Sequence, residues 1–234
     1  MAKLTFILLP GLDGTGDLFG PLIKALGGEF TVQVVRYPTV GSLGYEALEL
    51  VARKSLPSNE PFVILGESFS GPVAISIAAS QPPGLLGVVM CSTFVRNPRP
   101  AFSALGALTG VMPVKLAPLG LLSYFLLGSH STEQLRSSLA ATLAKVSTIA
   151  LRAGVKAVLG VDVSAKLNTL KAPLLYLLAT QDRVVPRSAV EEIARTLPAA
   201  WVVSINAPHF LLQVAPEAAA SAIRAFMREV QNAT

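Results

Sequence analysis

The chain has 234 residues, of which 52% are apolar and only 14% charged, and it carries a formal net charge of +5. That length fits one domain with a large core, and basic residues scattered with no run longer than Arg53-Lys54 argue against a nucleic-acid partner. A single cysteine, Cys91, excludes an intramolecular disulfide, and Met1 to Leu9 lacks a secretory pattern, so the expected compartment is the cytoplasm.

Taken in order, Leu4 to Leu9 is the first predicted strand, closed by Pro10-Gly11. The glycine-rich stretch Leu9-Pro10-Gly11-Leu12-Asp13-Gly14-Thr15-Gly16 follows it. That stretch contains neither G-K-[ST] nor G-x-G-x-x-G, so it is not expected to cradle phosphate. Val32 to Tyr37 is the second strand, ended by Pro38, and Ser42 is placed to cap a helix carrying Tyr45, Leu48, Val51 and Ala52. Phe62 to Leu65 is the third strand, Gly71 to Ser80 a buried helix, and Leu86 to Cys91 the fourth strand.

From Phe94 to about Leu170 no strong strand pattern occurs, only helical ones such as Thr132 to Ala150, capped by Ser131 or Thr132. The long, nearly uncharged piece Pro100 to Thr132 is cut by Pro113, Pro118 and several glycines into lengths too short to span a bilayer, so no stable membrane insertion is expected. Strands resume at Leu174 to Ala179 and Trp201 to Ile205. One helix starts at Pro186 and contains Glu191 and Arg195; the last runs from Pro216 to about Val230.

Apolar strands without polar alternation, separated by helices, predict an α/β protein. Its sheet of about six mostly parallel strands is covered on both faces. Residues 1–93 and 171–234 form the core, and 94–170 a helical lid inserted into it.

Gly66-Glu67-Ser68-Phe69-Ser70 approximates the G-x-S-x-G nucleophile turn, in which small neighbours let a strained serine stand between a strand and a helix. Ser70 replaces the usual last glycine. The motif alone also fits an ordinary Gly/Ser loop, so its partners must be found. The chain has two histidines, His130 within the lid and His209 in Ala207-Pro208-His209-Phe210. Only His209 follows a strand, at the sheet end where such loops converge. Of four aspartates, Asp13, Asp17, Asp162 and Asp182, the last sits in the loop after the strand ending at Ala179; Asp162 is the weaker alternative. Ser68, His209 and Asp182 thus read as nucleophile, base and orienting acid. The backbone N–H groups of Leu12 and Phe69 are the expected oxyanion donors. Glu67 points away from the reacting atoms. Two histidines and one cysteine are too few for a metal set, and no cofactor is expected.

These four segments together resemble the α/β-hydrolase superfamily over essentially the whole chain. Leu8-Leu9-Pro10-Gly11-Leu12-Asp13-Gly14 is similar to its oxyanion loop, with Pro10-Gly11 where His-Gly is frequent. Because that loop normally follows the third strand, the chain resembles a short version lacking the first hairpin. Among subgroups it looks most like small carboxylesterases with a helical cap, similar to the pimeloyl-ester methyl esterases. The resemblance implies acyl-enzyme chemistry.

The apolar lid residues Phe102, Leu105, Leu108, Met112, Leu121, Leu122, Tyr124, Phe125 and Leu126 suit an apolar pocket. With Phe125 and Phe210 lining it, they favour an ester with a short-to-medium apolar acyl or alkyl group. The same stripe also suits packing onto the body, lipid contact or a homodimer. Thioesterase, lactonase, C–C hydrolase and acyltransferase activities share the machinery, and a slow, hydrolase-like ligand receptor would keep the same triad.

Overall fold

A computed structural model describes residues 3–58, 60–101 and 118–232. Of the apolar lid residues, Phe102, Leu105, Leu108 and Met112 lie outside the described residues.

Six strands form one sheet: β1 (Thr5–Leu9), β2 (Thr31–Val34), β3 (Phe62–Glu67), β4 (Leu85–Cys91), β5 (Leu174–Ala179) and β6 (Trp201–Ile205). Their order is β2-β1-β3-β4-β5-β6, and every pairing is parallel. The central strands β1 and β3 are buried at every position, which is why they read as unbroken apolar runs. Side chains alternate between two cores. Phe6, Leu8, Val63, Leu65, Leu175 and Leu177 face α1 (Gly20–Leu26) and α10 (Pro216–Asn232). Ile7, Leu9, Phe62, Ile64, Leu174 and Tyr176 face α2 (Tyr45–Arg53), α3 (Gly71–Ala79) and, through Val190 and Ile193, α8 (Ser188–Thr196). Each such fully buried side chain contributes about 1.5–3 kcal/mol relative to exposure.

Between β4 and β5 the described chain folds as α4 (Leu119–Leu126), α5 (Glu133–Ala144), α6 (Thr148–Gly160) and α7 (Ser164–Leu167). The two ends of this segment are stitched together. Asn97 N–H donates to the Val161 carbonyl at 2.9 Å, Val163 N–H to the Val95 carbonyl at 2.8 Å, and Arg96 bridges antiparallel to Asp162. A last short helix, α9 (Leu211–Val214), precedes α10.

Three expectations are corrected. The second strand stops at Val34 instead of Tyr37. Gly44, not Ser42, is the residue before α2. The single helix expected over Thr132 to Ala150 is two. α5 is capped by Thr132 Oγ1, which accepts from Leu135 N–H at 3.2 Å, and α6 by Ser147 Oγ, which accepts from Ala150 N–H at 3.1 Å. The break is tertiary in origin: Ser147 N–H donates to the Thr39 carbonyl at 2.8 Å instead of continuing the helix.

Candidate active site

β3 leads straight into a 3-10 turn at Ser68–Ser70 and then α3, so Ser68 stands at the carboxyl end of the sheet with φ at +47°. That left-handed conformation is costly for a non-glycine residue and turns the side chain outward from the bend. It is supported from below. Thr93 Oγ1 donates to the Ser68 carbonyl, and Thr93 is locked by Tyr176, whose hydroxyl accepts from Thr93 N–H at 3.1 Å and donates to its carbonyl at 2.6 Å. Small residues are required where expected. A Cβ at Gly66 would lie 2.7 Å from the Ser70 carbonyl oxygen, and one at Gly71 would run into Thr93 and lie 2.9 Å from the Phe94 carbonyl oxygen. The crowding that the irregular motif had to relieve falls on Gly71, leaving room for a side chain at Ser70.

The loops after β5 and β6 deliver the two partners. They are laced together by Thr180 N–H to the Ile205 carbonyl and Gln181 N–H to the Ala207 carbonyl, both 3.0 Å. Ser68 Oγ lies 2.8 Å from His209 Nε2, and His209 Nδ1 lies 2.8 Å from Asp182 Oδ2. With Nδ1 donating to the carboxylate, Nε2 is left as an acceptor facing the serine hydroxyl. Asp182 Oδ1 is fixed in turn by Val184 and Val185 N–H groups at 2.7 and 2.9 Å. The side chains of His209 and Asp182 are only 3% and 5% exposed, so their attraction is little screened by water. His130 and Asp162 do not join this chain. His130 ends a short turn after α4, and Asp162 accepts from Ser164 N–H and Oγ at 2.9 and 2.6 Å.

The loop after β1 folds into a turn closed by Gly14 N–H to the Gly11 carbonyl at 3.0 Å, with Asp13 Oδ1 capping Thr15 N–H at 2.9 Å. Among the described residues, the Leu12 and Phe69 N–H groups donate to no backbone carbonyl in loops or turns. The Phe69 backbone is held by Tyr45, whose hydroxyl donates to the Phe69 carbonyl at 2.9 Å and whose ring stacks on the Phe69 ring at 4.8 Å. The Leu12 side chain and the Phe69 ring both reach Gly154 of α6, so this helix lies over the loop and the turn. Leu12, Phe69, Tyr37, Val146, Ala150 and Gly154 enclose a cavity of about 30 Å³, room for little more than a water.

Glu67, next to Ser68, turns to the opposite side. Its carboxylate accepts from Gln213 Nε2 at 2.9 Å, and burial pushes it up to about 7, with the nearby Asp13 charge adding to the rise. Phe210 is half-buried with its ring 6.3 Å from His209, and its N–H donates to the Leu126 carbonyl at 2.9 Å. Phe125 is 40% exposed on α4, edge-on to Tyr124, and neither phenylalanine lines the small cavity. Arg183, beside Asp182, completes the attachment of α4. Its guanidinium donates to the Tyr124 carbonyl at 2.8 Å and lies 4.1 Å over the Tyr124 ring. Thr93, Tyr45 and Arg183 have no local signature, since each acts on a residue far away in the chain. Among the described residues, no three His, Cys, Asp or Glu cluster to hold a metal ion, and no helix is long and apolar enough to cross a membrane.

Known proteins place this geometry in context. The family described as serine aminopeptidase, S33, matches residues 46–210. Phytyl ester synthase 1, chloroplastic, from Arabidopsis thaliana is 32% identical over 141 residues, which is 50% of this chain and only 20% of that relative. An enol-lactonase from Burkholderia xenovorans LB400 superposes with a TM-score of 0.83 at 17% identity, over 97% of this chain and 92% of its own. A carboxylesterase structure from the thaumarchaeon Nitrososphaera gargenis gives 0.82 at 14% identity, over 99% and 92%. At such low identity the superpositions show the shared α/β-hydrolase fold.

Proposed function

The chain belongs to the serine aminopeptidase S33 family of α/β-hydrolases, and we propose that it cleaves carboxylic esters with short-to-medium apolar acyl or alkyl groups through an acyl-enzyme. The observation that carries the reading is the hydrogen-bonded series Ser68–His209–Asp182, two contacts of 2.8 Å, with His209 and Asp182 buried and Ser68 partly open to solvent. His209 Nε2 takes the Ser68 proton as Oγ attacks the acyl carbon. Asp182 holds the imidazole in the accepting tautomer and stabilises the imidazolium. The Leu12 and Phe69 N–H groups receive the developing oxyanion, where each donor is worth about 3–4 kcal/mol. His209 then protonates the departing alkoxide and activates the water that releases the acid. The segment 94–170 acts as the lid, and its exposed Leu121, Tyr124 and Phe125 favour an apolar substrate.

The test is a series of p-nitrophenyl esters of increasing chain length, run with the wild type and Ser68→Ala. The variant is expected to lose a factor on the order of 10⁴–10⁶ in kcat. Hydrolysis unchanged in the variant would overturn the mechanism, and a wild type inert to every ester would favour a ligand receptor. A second reading, transfer of the acyl group to an alcohol, is supported by the similarity to phytyl ester synthase 1. Adding a long-chain alcohol to the same assay separates the two, because transfer yields a new ester in place of the free acid.

A further inference from the structure

Ser70 stands where the nucleophile motif usually has glycine, and it is 0% exposed. A buried hydroxyl in a tight turn costs stability unless its hydrogen bonds are met. Here both are, and both partners belong to other segments. Ser70 Oγ donates to the carbonyl of Pro10 in the loop after β1. Having used its only proton there, it accepts from the Tyr37 hydroxyl at 3.0 Å. Burial pushes the Tyr37 phenol up, so it remains a donor.

Tyr37 is itself fixed to the far side of the same loop. Its N–H donates to the Gly14 carbonyl at 2.8 Å, and its Cβ lies 3.0 Å from where a Gly14 Cβ would be. The stretch Pro10 to Gly14, with Leu12 at its centre, is therefore held at both ends by one linked pair, Ser70 and Tyr37. Ser70 adjoins Phe69 in the chain, and its acceptor Pro10 lies two residues before Leu12. One hydroxyl thus spans the two segments that carry the two proposed oxyanion donors.

We propose that Ser70 is a positioning residue, whose hydroxyl, braced by Tyr37, sets the spacing of the Leu12 and Phe69 N–H groups and so the oxyanion site. Glycine at this position would lack the hydroxyl that joins the two segments; the serine couples them. The inference rests on the esterase reading above. Such a residue touches no substrate and is felt only where negative charge develops on the carbonyl oxygen.

The experiment compares wild type, Ser70→Ala and Tyr37→Phe with p-nitrophenyl butyrate. Phenylboronic acid serves as a tetrahedral adduct former and butyramide, whose carbonyl is uncharged, as a ground-state ligand. Ser70→Ala is expected to lower kcat/KM 10–100-fold and to weaken phenylboronic acid by the same factor, with butyramide affinity within twofold of wild type. Tyr37→Phe, which leaves the turn intact, is expected to follow in the same direction by 3–10-fold and decides the matter if Ser70→Ala does not fold. Wild-type kcat/KM and boronate affinity in a folded Ser70→Ala would overturn the inference. So would an equal loss for butyramide, which marks a general disordering of the site. If Ser68→Ala still hydrolyses the ester, the esterase reading itself fails, whatever Ser70 does.

Discussion

Helix α3 buries every residue from Gly71 to Ala78, whereas α5, with 12 residues to its 9, buries only Leu139 and Thr142, and α6 only Leu151 and Gly154. The first is a central support of the sheet, held by apolar packing along its whole length. The others are laid over the strand ends and held by their caps and by a few specific ties, such as Lys145 to Asp17 at 2.6 Å. The difference is one of labour. The residues proposed for chemistry rise from the densely packed part, where a side chain has one available place. The helices of the proposed lid bury few of their own residues, and α6 meets the loop after β1 where Gly154 reaches Leu12.

The sharpest way to break this division is to exchange its two histidines in importance. His209→Ala is expected to reduce kcat/KM by a factor on the order of 10⁴ or more, while His130→Ala, in the segment between β4 and β5, keeps activity within about threefold of wild type. The reverse result in the ester assay would put the base in the insertion and end the comparison. Packing should divide the same way. Ile64→Ala, at a fully buried position of β3, is expected to cost about 2–5 kcal/mol in urea denaturation. Leu121→Ala, 50% exposed on α4, should stay within about 0.5 kcal/mol.

A third measurement concerns the buried carboxyl of Glu67, next to Ser68. Glu67 titrates in the folded chain at about 7 against an ordinary 4.5, chiefly because it is buried. A folded-state value above the unfolded one means that the folded chain binds the extra proton between these limits. Stability from this group is therefore complete below pH 4.5 and declines as pH rises toward 7, by on the order of 3 kcal/mol. Glu67→Gln removes the titration, so its unfolding free energy should fall less than that of wild type between pH 5 and 7. Parallel curves would show that Glu67 is not shifted upward. The smallest expected effect lies at the contact between the two regions. Gly154→Ala should favour α6 by up to about 1 kcal/mol through helix propensity. Its new methyl collides with Leu12 Cδ1, so activity should fall a few-fold as the loop after β1 gives way.

The sheet was legible chiefly from β1, β3, β4 and β5, whose long apolar runs announce parallel strands covered on both faces, whereas the edge strands β2 and β6 carry Gln33 and Ser204 and are partly exposed. The overrun at Val35 to Tyr37 has a physical cause. Val35 and Tyr37 are as buried as strand residues, but Tyr37 pairs with Gly14 in the loop, outside the strand ladder. Helix α1 is hard to read because its seven residues make barely two turns, although Leu22, Ala25 and Leu26 fall at helical spacing. Ser68, His209 and Asp182 could be proposed together from the sequence because histidine and aspartate are scarce and the loops after β5 and β6 hold Asp182 and His209. What stayed hidden were pairings across long separations, such as Glu67 with Gln213 and Ser70 with Pro10. A sequence shows these only as an unremarkable glutamine and an irregular motif.

The stitched ends of the segment between β4 and β5 have an energetic corollary. Because Asn97 and Val161 are already joined, the closure entropy of everything between them is met at the stem. Lengthening that interval even twofold adds only about 0.6 kcal/mol to the cost of closing it. An insert of a different length on this stem is therefore expected to change the closure cost little and to leave the pairing of β4 with β5 in place.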